Sequence, residues 1–352
     1  MKYFLLILIV LFSSNVMADC DFDDDGLVFI DLAPCFDEPP EPLPDHWGFG
    51  AEGVTVDKRG FVYITQGLPA FWAPGADGWV RKFDHDGNEL EQIAYLPGGN
   101  GPAGIATNPE GDVYFAARDG VYQVVDGTPE LLIGTDAIGV PNGLAFDADH
   151  VLFISDSLSR SIPPLELEPF KGVIWTATED SYKEGSAPAE IWSDDPLLTG
   201  CGGFGANGIA FWEGDLYVAN ITGGMIVRIP VLEDGTAGPA EIVAGTEACG
   251  FDDLLGLDGI AFDVHGMIYA ANVIQSTLLK INPHVSPAVV DKLLGPGDGL
   301  HDPASVAFGT GKKHRKTLFI SNYAVFAPSD PVNTKGPAIL KYDVGVPGLP
   351  LP

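Results

Sequence analysis

Six times along the chain a small residue leads into an apolar strand, a polar turn follows, and a second strand rich in aromatic and β-branched residues returns. The copies read Glu52-GVTVDKRGFVYIT, Ala103-GIATNPEGDVYFA, Asn142-GLAFDADHVLFIS, Asn207-GIAFWEGDLYVA, Asp258-GIAFDVHGMIYAA and Ala304-SVAFGTGKKHRKTLFIS. Their first residues are 51, 39, 65, 51 and 46 positions apart. Paired short strands recurring at this spacing predict four-stranded blades joined by loops of variable length. Further strands are predicted at Val80–Phe83 and Leu90–Tyr95, at Val121–Val125 and Glu130–Ile133, and at Ile226–Ile229 and Glu241–Val243. No amphipathic helix of three turns stands out after the first 18 residues. The expectation is an all-β, six-bladed β-propeller, a single domain over residues 19–352.

The sixth copy is one strand short. Only Ile339–Asp343 follows it before a Pro/Gly-rich tail, and Leu27–Leu32, upstream of the first copy, has the composition to supply the missing outer strand. Closure by an N-terminal strand would join the chain ends and remove an exposed sheet edge. The long third interval holds Ile162-Pro-Pro-Leu-Glu-Leu-Glu-Pro and Thr178–Ser186, both read as loops.

Composition narrows the setting. Gly 44 and Pro 29 make about a fifth of the 352 residues, which suits many turns. Lys2, the apolar run Phe4–Phe12 and Val16-Met17-Ala18 read as a signal peptide over residues 1–18, so export to the periplasm or medium is expected. The run is too short to span a bilayer, which takes about 20 apolar residues. Cys20, Cys35, Cys201 and Cys249 form an even set, consistent with two disulfides in an oxidising compartment. Of three pairings, Cys20–Cys35 with Cys201–Cys249 is preferred. The net charge of −31 argues against nucleic acid and anionic lipid as partners, and no membrane insertion is expected. A monomer acting on a small molecule is the expectation.

The inner strand of each propeller blade starts at one mouth of a central channel. The residue before each Gly-apolar strand therefore points to a common spot: Glu52, Ala103, Asn142, Asn207, Asp258 and, in blade 6, Ala304 or Ser305. Two carboxylates and two carboxamides suit one hard divalent cation, calcium above all, and the lack of His or Cys argues against zinc or copper. The competing reading is that Asn-Gly and Asp-Gly are ordinary turn dipeptides. Asp21–Gly26 mimics the start of a calcium loop but lacks its closing Glu, so it reads as an acidic turn.

Glu52-Gly53, Pro141-Asn142-Gly143-Leu-Ala-Phe-Asp147, Asn207-Gly208 and Leu257-Asp258-Gly259-Ile-Ala-Phe-Asp263 resemble the pattern of the senescence-marker-protein (regucalcin)/gluconolactonase family. That group is related to the paraoxonases and to diisopropyl-fluorophosphatase-type phosphotriesterases. The resemblance implies a cation held by Glu52, Asn142, Asn207 and Asp258, and hydrolysis of a lactone or related ester. Blade 1 departs from the pattern with Ala51-Glu52-Gly53-Val54 where the family has Glu-Gly-Pro. The general base is expected among the pocket carboxylates, Asp258 included, or at His301, in the loop entering blade 6, with His46 second; His85, His150 and His265 fall at the opposite end of the blades. The second strands run back to the same mouth and end at Gln66, Arg118, Asp156, Asn220, Asn272 and Asn322. With Ser305, these are candidates for substrate contacts or for fixing the ligands. Phe71, Trp72, Phe204 and Phe326 could wall a pocket. The alternative function is a non-catalytic, calcium-stabilised propeller that binds a peptide or glycan.

Overall fold

The computed structural model describes residues 27–32, 50–67, 77–98, 101–134, 138–159, 171–178, 189–247, 249, 253–325 and 335–351. Strands dominate because each repeat supplies alternating apolar positions bounded by turn residues. Asp57, Asn108, Asp147 and Asp263 close the first turn of four blades by accepting backbone N–H groups two and four residues on, as in Arg59 N–H and Phe61 N–H to Asp57 Oδ1 at 2.9 and 3.0 Å. Only two short 3₁₀ turns, Pro196–Leu198 and Pro296–Asp298, interrupt the strands among the described residues.

Six antiparallel four-stranded sheets result. Blade 1 comprises Ala51–Val56, Val62–Gly67, Gly78–Phe83 and Glu89–Leu96, inner to outer. Blade 2 comprises Pro102–Thr107, Val113–Ala117, Gly120–Val125 and Thr128–Gly134. Blade 3 comprises Pro141–Phe146, Leu152–Asp156, Val173–Ala177 and Glu190–Ser193, its two outer strands drawn from the long third interval. Blade 4 comprises Ala206–Trp212, Asp215–Asn220, Met225–Pro230 and Glu241–Ala244. Blade 5 comprises Leu257–Phe262, Ile268–Asn272, Thr277–Asn282 and Val289–Leu294. Blade 6 comprises Pro303–Phe308, Thr317–Asn322 and Ala338–Asp343, and its fourth strand is Val28–Asp31 from the N-terminal side. The inner strand of each blade touches those of both neighbours, blade 6 touching blade 1, so the ring is closed as the strand count predicted.

The core lies between blades. Along the inner strands of blades 3 to 6 a large apolar pair alternates with an alanine on the other face: Leu144 and Phe146 around Ala145, Ile260 and Phe262 around Ala261. Leu144 and Phe146 pack with Ala106 of the preceding blade, Ile209 and Phe211 with Ala145, and Val306 and Phe308 with Ala261. The repeated apolar-Ala-Phe run is therefore one blade's knob beside the next blade's socket. Each such large side chain contributes about 1.5–3 kcal/mol on burial, and the sequence repeats because the interface does.

The expected signal peptide at residues 1–18, Cys20, Cys35, Asp21–Gly26, His46, Phe71, Trp72, Phe326, the Pro-rich segment at 162–169 and residues 179–186 lie outside the described residues.

Candidate metal centre

A β-bulge in every blade builds the site. Ala51 pairs with Gln66 and Val54 with Ile64, so Glu52 and Gly53 together oppose Thr65 alone. The same two-against-one step follows Pro102, Pro141, Ala206, Leu257 and Pro303. A bulge re-aims the extra residue out of the strand's regular alternation. It sets Glu52, Ala103, Asn142, Asn207, Asp258 and Ala304 at equivalent places around the axis. Blade 6, left open between two residues by the sequence, contributes Ala304 to this ring. Ser305 takes the place that glycine holds in the other five blades.

Those glycines are not turn residues. Gly53, Gly104, Gly143, Gly208 and Gly259 do not adopt positive φ. What they need is space: a Cβ on Gly143 would sit 2.5 Å from the Asn207 carbonyl oxygen, and one on Gly208 would sit 2.2 Å from that of Asp258. The backbones of Asn142, Asn207 and Asp258 thus each rest on the glycine of the blade before them. The turn-dipeptide reading is replaced by close approach.

The electrostatics are those of two acids confined together. Glu52 and Asp258 are buried. Burial pushes the Glu52 carboxyl up to about 8, against a hydrogen bond with the Asn142 side chain that pulls it down. Burial and the charge of Glu52 hold Asp258 well above the usual carboxylate range. Asn207 is 3% exposed, and its Oδ1 has no hydrogen-bond partner. An acceptor orphaned in this way costs about 1–3 kcal/mol unless something electropositive meets it. No group of three or more His, Cys, Asp or Glu side chains is placed to share a metal among the described residues, because this set has only two carboxylates and completes itself with carboxamides. That donor chemistry fits a hard divalent cation. The four residues line one end of an axial cavity of about 590 Å³, whose lining at its far end includes Leu349, Pro350 and Leu351. Leu349 is tied there by its N–H to the Phe262 carbonyl at 2.9 Å.

The ends of the second strands serve mainly the loops that enter the blades. Asp156 accepts the N–H groups of Gly139 and Val140, both at 2.8 Å, just ahead of Asn142. Asn220 donates to the Leu197 and Thr199 carbonyls at 2.9 and 3.0 Å, on the approach to Asn207. Asn272 donates to the Asp253 carbonyl at 3.1 Å, on the approach to Asp258. Asn322 donates to the Gly299 and Lys335 carbonyls and accepts the His301 N–H at 2.8 Å. Gln66 accepts from Arg81 at 2.7 Å. Blade 2 differs: the residue in register is Ala117, paired with Pro102, and Arg118 lies one place further on, exposed in a two-residue turn. The expected disulfide Cys201–Cys249 is present, with Cα atoms 5.7 Å apart, and joins the loops that lead to Asn207 and Asp258.

His301 is buried, with its ring Nε2 3.6 Å from Asp302 Oδ2. The Asp302 N–H donates to Ser276 Oγ at 3.1 Å, and Ser276 donates back to Asp302 Oδ1 at 3.3 Å. Phe204 contributes its carbonyl to Thr222 Oγ1 at 2.7 Å. His85, His150 and His265 sit in turns at the opposite end, as predicted.

Sequence reasoning missed two groups of residues. Tyr323 is buried, and its phenol is held well above its usual range by burial and by the charges of both Glu52 and Asp258, which places it beside the pair. It directly follows Asn322, so continuing that row by one residue would have found it. The others are three hydroxyls in mid-strand. Thr65 accepts the Gly53 N–H at 2.8 Å and donates to the Ala103 carbonyl at 2.5 Å. Ser155 accepts the Gly143 N–H at 2.8 Å and donates to the Asn207 carbonyl at 2.5 Å. Ser321 accepts the Ser305 N–H at 2.7 Å and donates to the Glu52 carbonyl at 2.7 Å. Each latches one blade's bulge to the next blade's axial residue, whereas blades 2, 4 and 5 carry Ala116, Ala219 and Ala271 there. Ser155→Ala strands the buried Gly143 N–H and frees the Asn207 backbone, so a stability loss of about 1–3 kcal/mol is predicted. Denaturant unfolding measures it; an unchanged midpoint would show that the latch carries no energy.

No protein-family model matches the chain, and no curated protein matches its sequence. Solved structures do match. A luciferin-regenerating enzyme superposes with a TM-score of 0.64 at 14% identity, over 87% of this chain and 96% of its own. A calcium-binding regucalcin from Agrobacterium tumefaciens gives 0.60 at 15%, over 87% and 93%. A gluconolactonase from Xanthomonas campestris gives 0.57 at 16%, over 86% and 87%. At these identities the likeness establishes the fold.

Proposed function

We propose that this chain hydrolyses a lactone or related ester with the help of one divalent cation, calcium by ligand chemistry, held by Glu52, Asn142, Asn207 and Asp258. The observation that carries this reading is the axial set: two buried carboxylates that repel each other and an Asn207 oxygen without a partner, delivered by separate blades to one end of a cavity. The structural likeness to proteins described as a gluconolactonase, a calcium-binding regucalcin and a luciferin-regenerating enzyme points the same way. The Cys201–Cys249 bridge is compatible with an oxidising compartment and supports export.

A bound cation would supply Lewis-acid polarisation of the ester carbonyl. The protein's own groups do the rest. His301 takes the proton of the attacking water; Asp302 faces its ring, and Asn322 fixes its backbone. Asp258 is the other candidate base. Ser305, half-buried on the cavity wall, is assigned to substrate; Arg118, exposed in its turn and outside the cavity lining, is assigned to the part of the substrate that stays outside. Asn272 and Asn322, occupied with backbone groups, act on substrate through the loops they hold.

Turnover of a lactone panel with and without chelator tests the reading. Hydrolysis restored by calcium supports it. Tight calcium binding without turnover of lactones, esters or phosphotriesters favours the binding propeller instead. The Glu52 carboxyl retains its proton up to about pH 8 in the cation-free protein, so a cation must displace that proton below this value. The Asp258 carboxyl is raised as well, so cation affinity should rise at least about tenfold per pH unit up to pH 8. A calorimetric series from pH 6 to 9 with a flat affinity contradicts the assignment of Glu52.

A further inference from the structure

The net charge of −31 describes the chain as a whole but not the face opposite the axial ligands. The first turn of blade 6 reads Gly311-Lys-Lys-His-Arg-Lys316, and beside it stand Lys58 and Arg59 from the first turn of blade 1, with Lys82 and Lys341 from strands near by. Eight of the 18 Lys and Arg residues are gathered here. Arg59 and Lys82 both stack on the Phe61 ring, at 5.2 and 4.5 Å from its centroid, and Lys341 lies close enough to His314 to act on it electrostatically. Between the two turns is a hollow of about 180 Å³ whose lining includes Arg59, His85, Thr310, Lys312, Lys313 and His314. Its walls are fixed: His314 Nε2 meets the His85 carbonyl at 2.9 Å, and Thr310 Oγ1 donates to the Asp57 carbonyl at 2.6 Å.

The carboxylates on the same turns and strand ends are Asp57, Asp84, Asp86, Glu89, Glu91 and Asp343, six against the eight cations, and Glu89 is paired with Arg81. Asp57 pairs with Arg59 and Asp86 with Lys313. Lys58, Lys312, Arg315, Lys316 and Lys341 make no ion pair with a described residue, and the first four of these are exposed. Charges further away than about 8 Å are largely screened at physiological salt, so this local excess rather than the total charge governs an anion at contact. Lysine and arginine donors around a small hollow suit a tetrahedral oxyanion, which accepts several charge-assisted hydrogen bonds at once.

We propose that this hollow between blades 6 and 1 binds a phosphate group, free or carried by a lipid headgroup. Val264 and Leu349, exposed apolar residues, flank the same face through the hydrogen bonds of Val264 to Pro347 and of Gly348 to Arg315, as a headgroup site would use. The exclusion of anionic lipid drawn from total charge is thereby limited to the rest of the surface.

The test is calorimetric titration with inorganic phosphate at constant ionic strength, together with flotation on phosphatidylcholine vesicles with and without a quarter phosphatidylglycerol. Saturable phosphate binding identifies the free anion, and flotation confined to phosphatidylglycerol vesicles identifies the headgroup. In either case Lys312→Glu/Lys316→Glu should weaken the interaction at least tenfold, and Lys312→Ala/Lys316→Ala should weaken it less. The proposal is overturned if the wild type binds neither probe, or if both double variants bind as it does. Lactone turnover is measured at the other end of the channel and does not enter the outcome.

Discussion

Asp258→Asn raises the melting temperature of chelator-treated protein above pH 8 and abolishes the further rise that millimolar calcium gives the wild type. The two halves of this result have one cause. Glu52 and Asp258 are both buried, and the charge of each works against ionisation of the other. The folded Glu52 carboxyl titrates near 8 against an ordinary 4.5. Because the folded value is raised, the folded state holds its proton more tightly than the unfolded chain does. That contribution to stability is complete below about 4.5 and is lost as pH rises through about 8. The carboxamide of the variant removes one of the two charges with little change of shape, so the cation-free fold no longer has to ionise a pair. The same change lowers the charge of the ligand set from −2 to −1, and cation affinity should fall by a factor on the order of 100 or more. A melting series with and without calcium at pH 6, 7.5 and 9 decides the matter. A variant that melts lower than wild type in chelator at pH 9, or that keeps the calcium-induced rise, rules out a repelling ligand pair.

How much of this was legible beforehand follows from where each signal lies. The blades could be read because a strand pair and its turn fit within about 15 consecutive residues. Ring closure could be inferred by counting: blade 6 had three strands, and Leu27–Leu32 had no other sheet to join. Glu52, Asn142, Asn207 and Asp258 were found because they hold one position of a repeat. The outer strands of blade 3 were hidden inside a long interval without repeat partners. Ser155 and its counterparts Thr65 and Ser321 were invisible for a different reason: their partners are backbone carbonyls of the next blade, 52, 38 and 269 positions away. The cationic hollow likewise unites positions 59, 85 and 312–314, which only the closed ring makes neighbours. The in-register position of blade 2 is Ala117, which pairs with Pro102 as Gln66 pairs with Ala51. Arg118 lies one residue beyond it because the turn to the third strand starts at once, and its residues carry no strand-breaking Gly or Pro until Gly120.

Gly208→Ala is the substitution expected to damage both the fold and the site most. The new methyl group would sit 2.2 Å from the Asp258 carbonyl oxygen and 2.6 Å from Gly259 Cα. Both atoms belong to the inner strand of blade 5, so no flexible side chain can yield, and blades 4 and 5 must separate at the ligand ring. Overpacking of this kind costs typically about 1–3 kcal/mol, and against rigid backbone the upper end applies. For a chain of this size that corresponds to a melting temperature lower by about 4 °C. Because the displaced atoms carry Asp258, cation affinity should fall together with stability. Two glycines elsewhere separate these causes. A Cβ placed on Gly297 would meet nothing within 4 Å, and that residue has no positive φ, so Gly297→Ala should change stability by less than about 0.5 kcal/mol. Gly214 also has open space but sits at φ +87, so Gly214→Ala should cost about 1 kcal/mol through the backbone while leaving cation affinity untouched. If Gly208→Ala behaves like Gly214→Ala, with modest destabilisation and full affinity, the blades tolerate separation and the glycine does not position Asp258. A joint loss seen only at Gly208 shows that the glycine repeated through the first five blades is a spacer, setting how closely one ligand-bearing strand lies on the next.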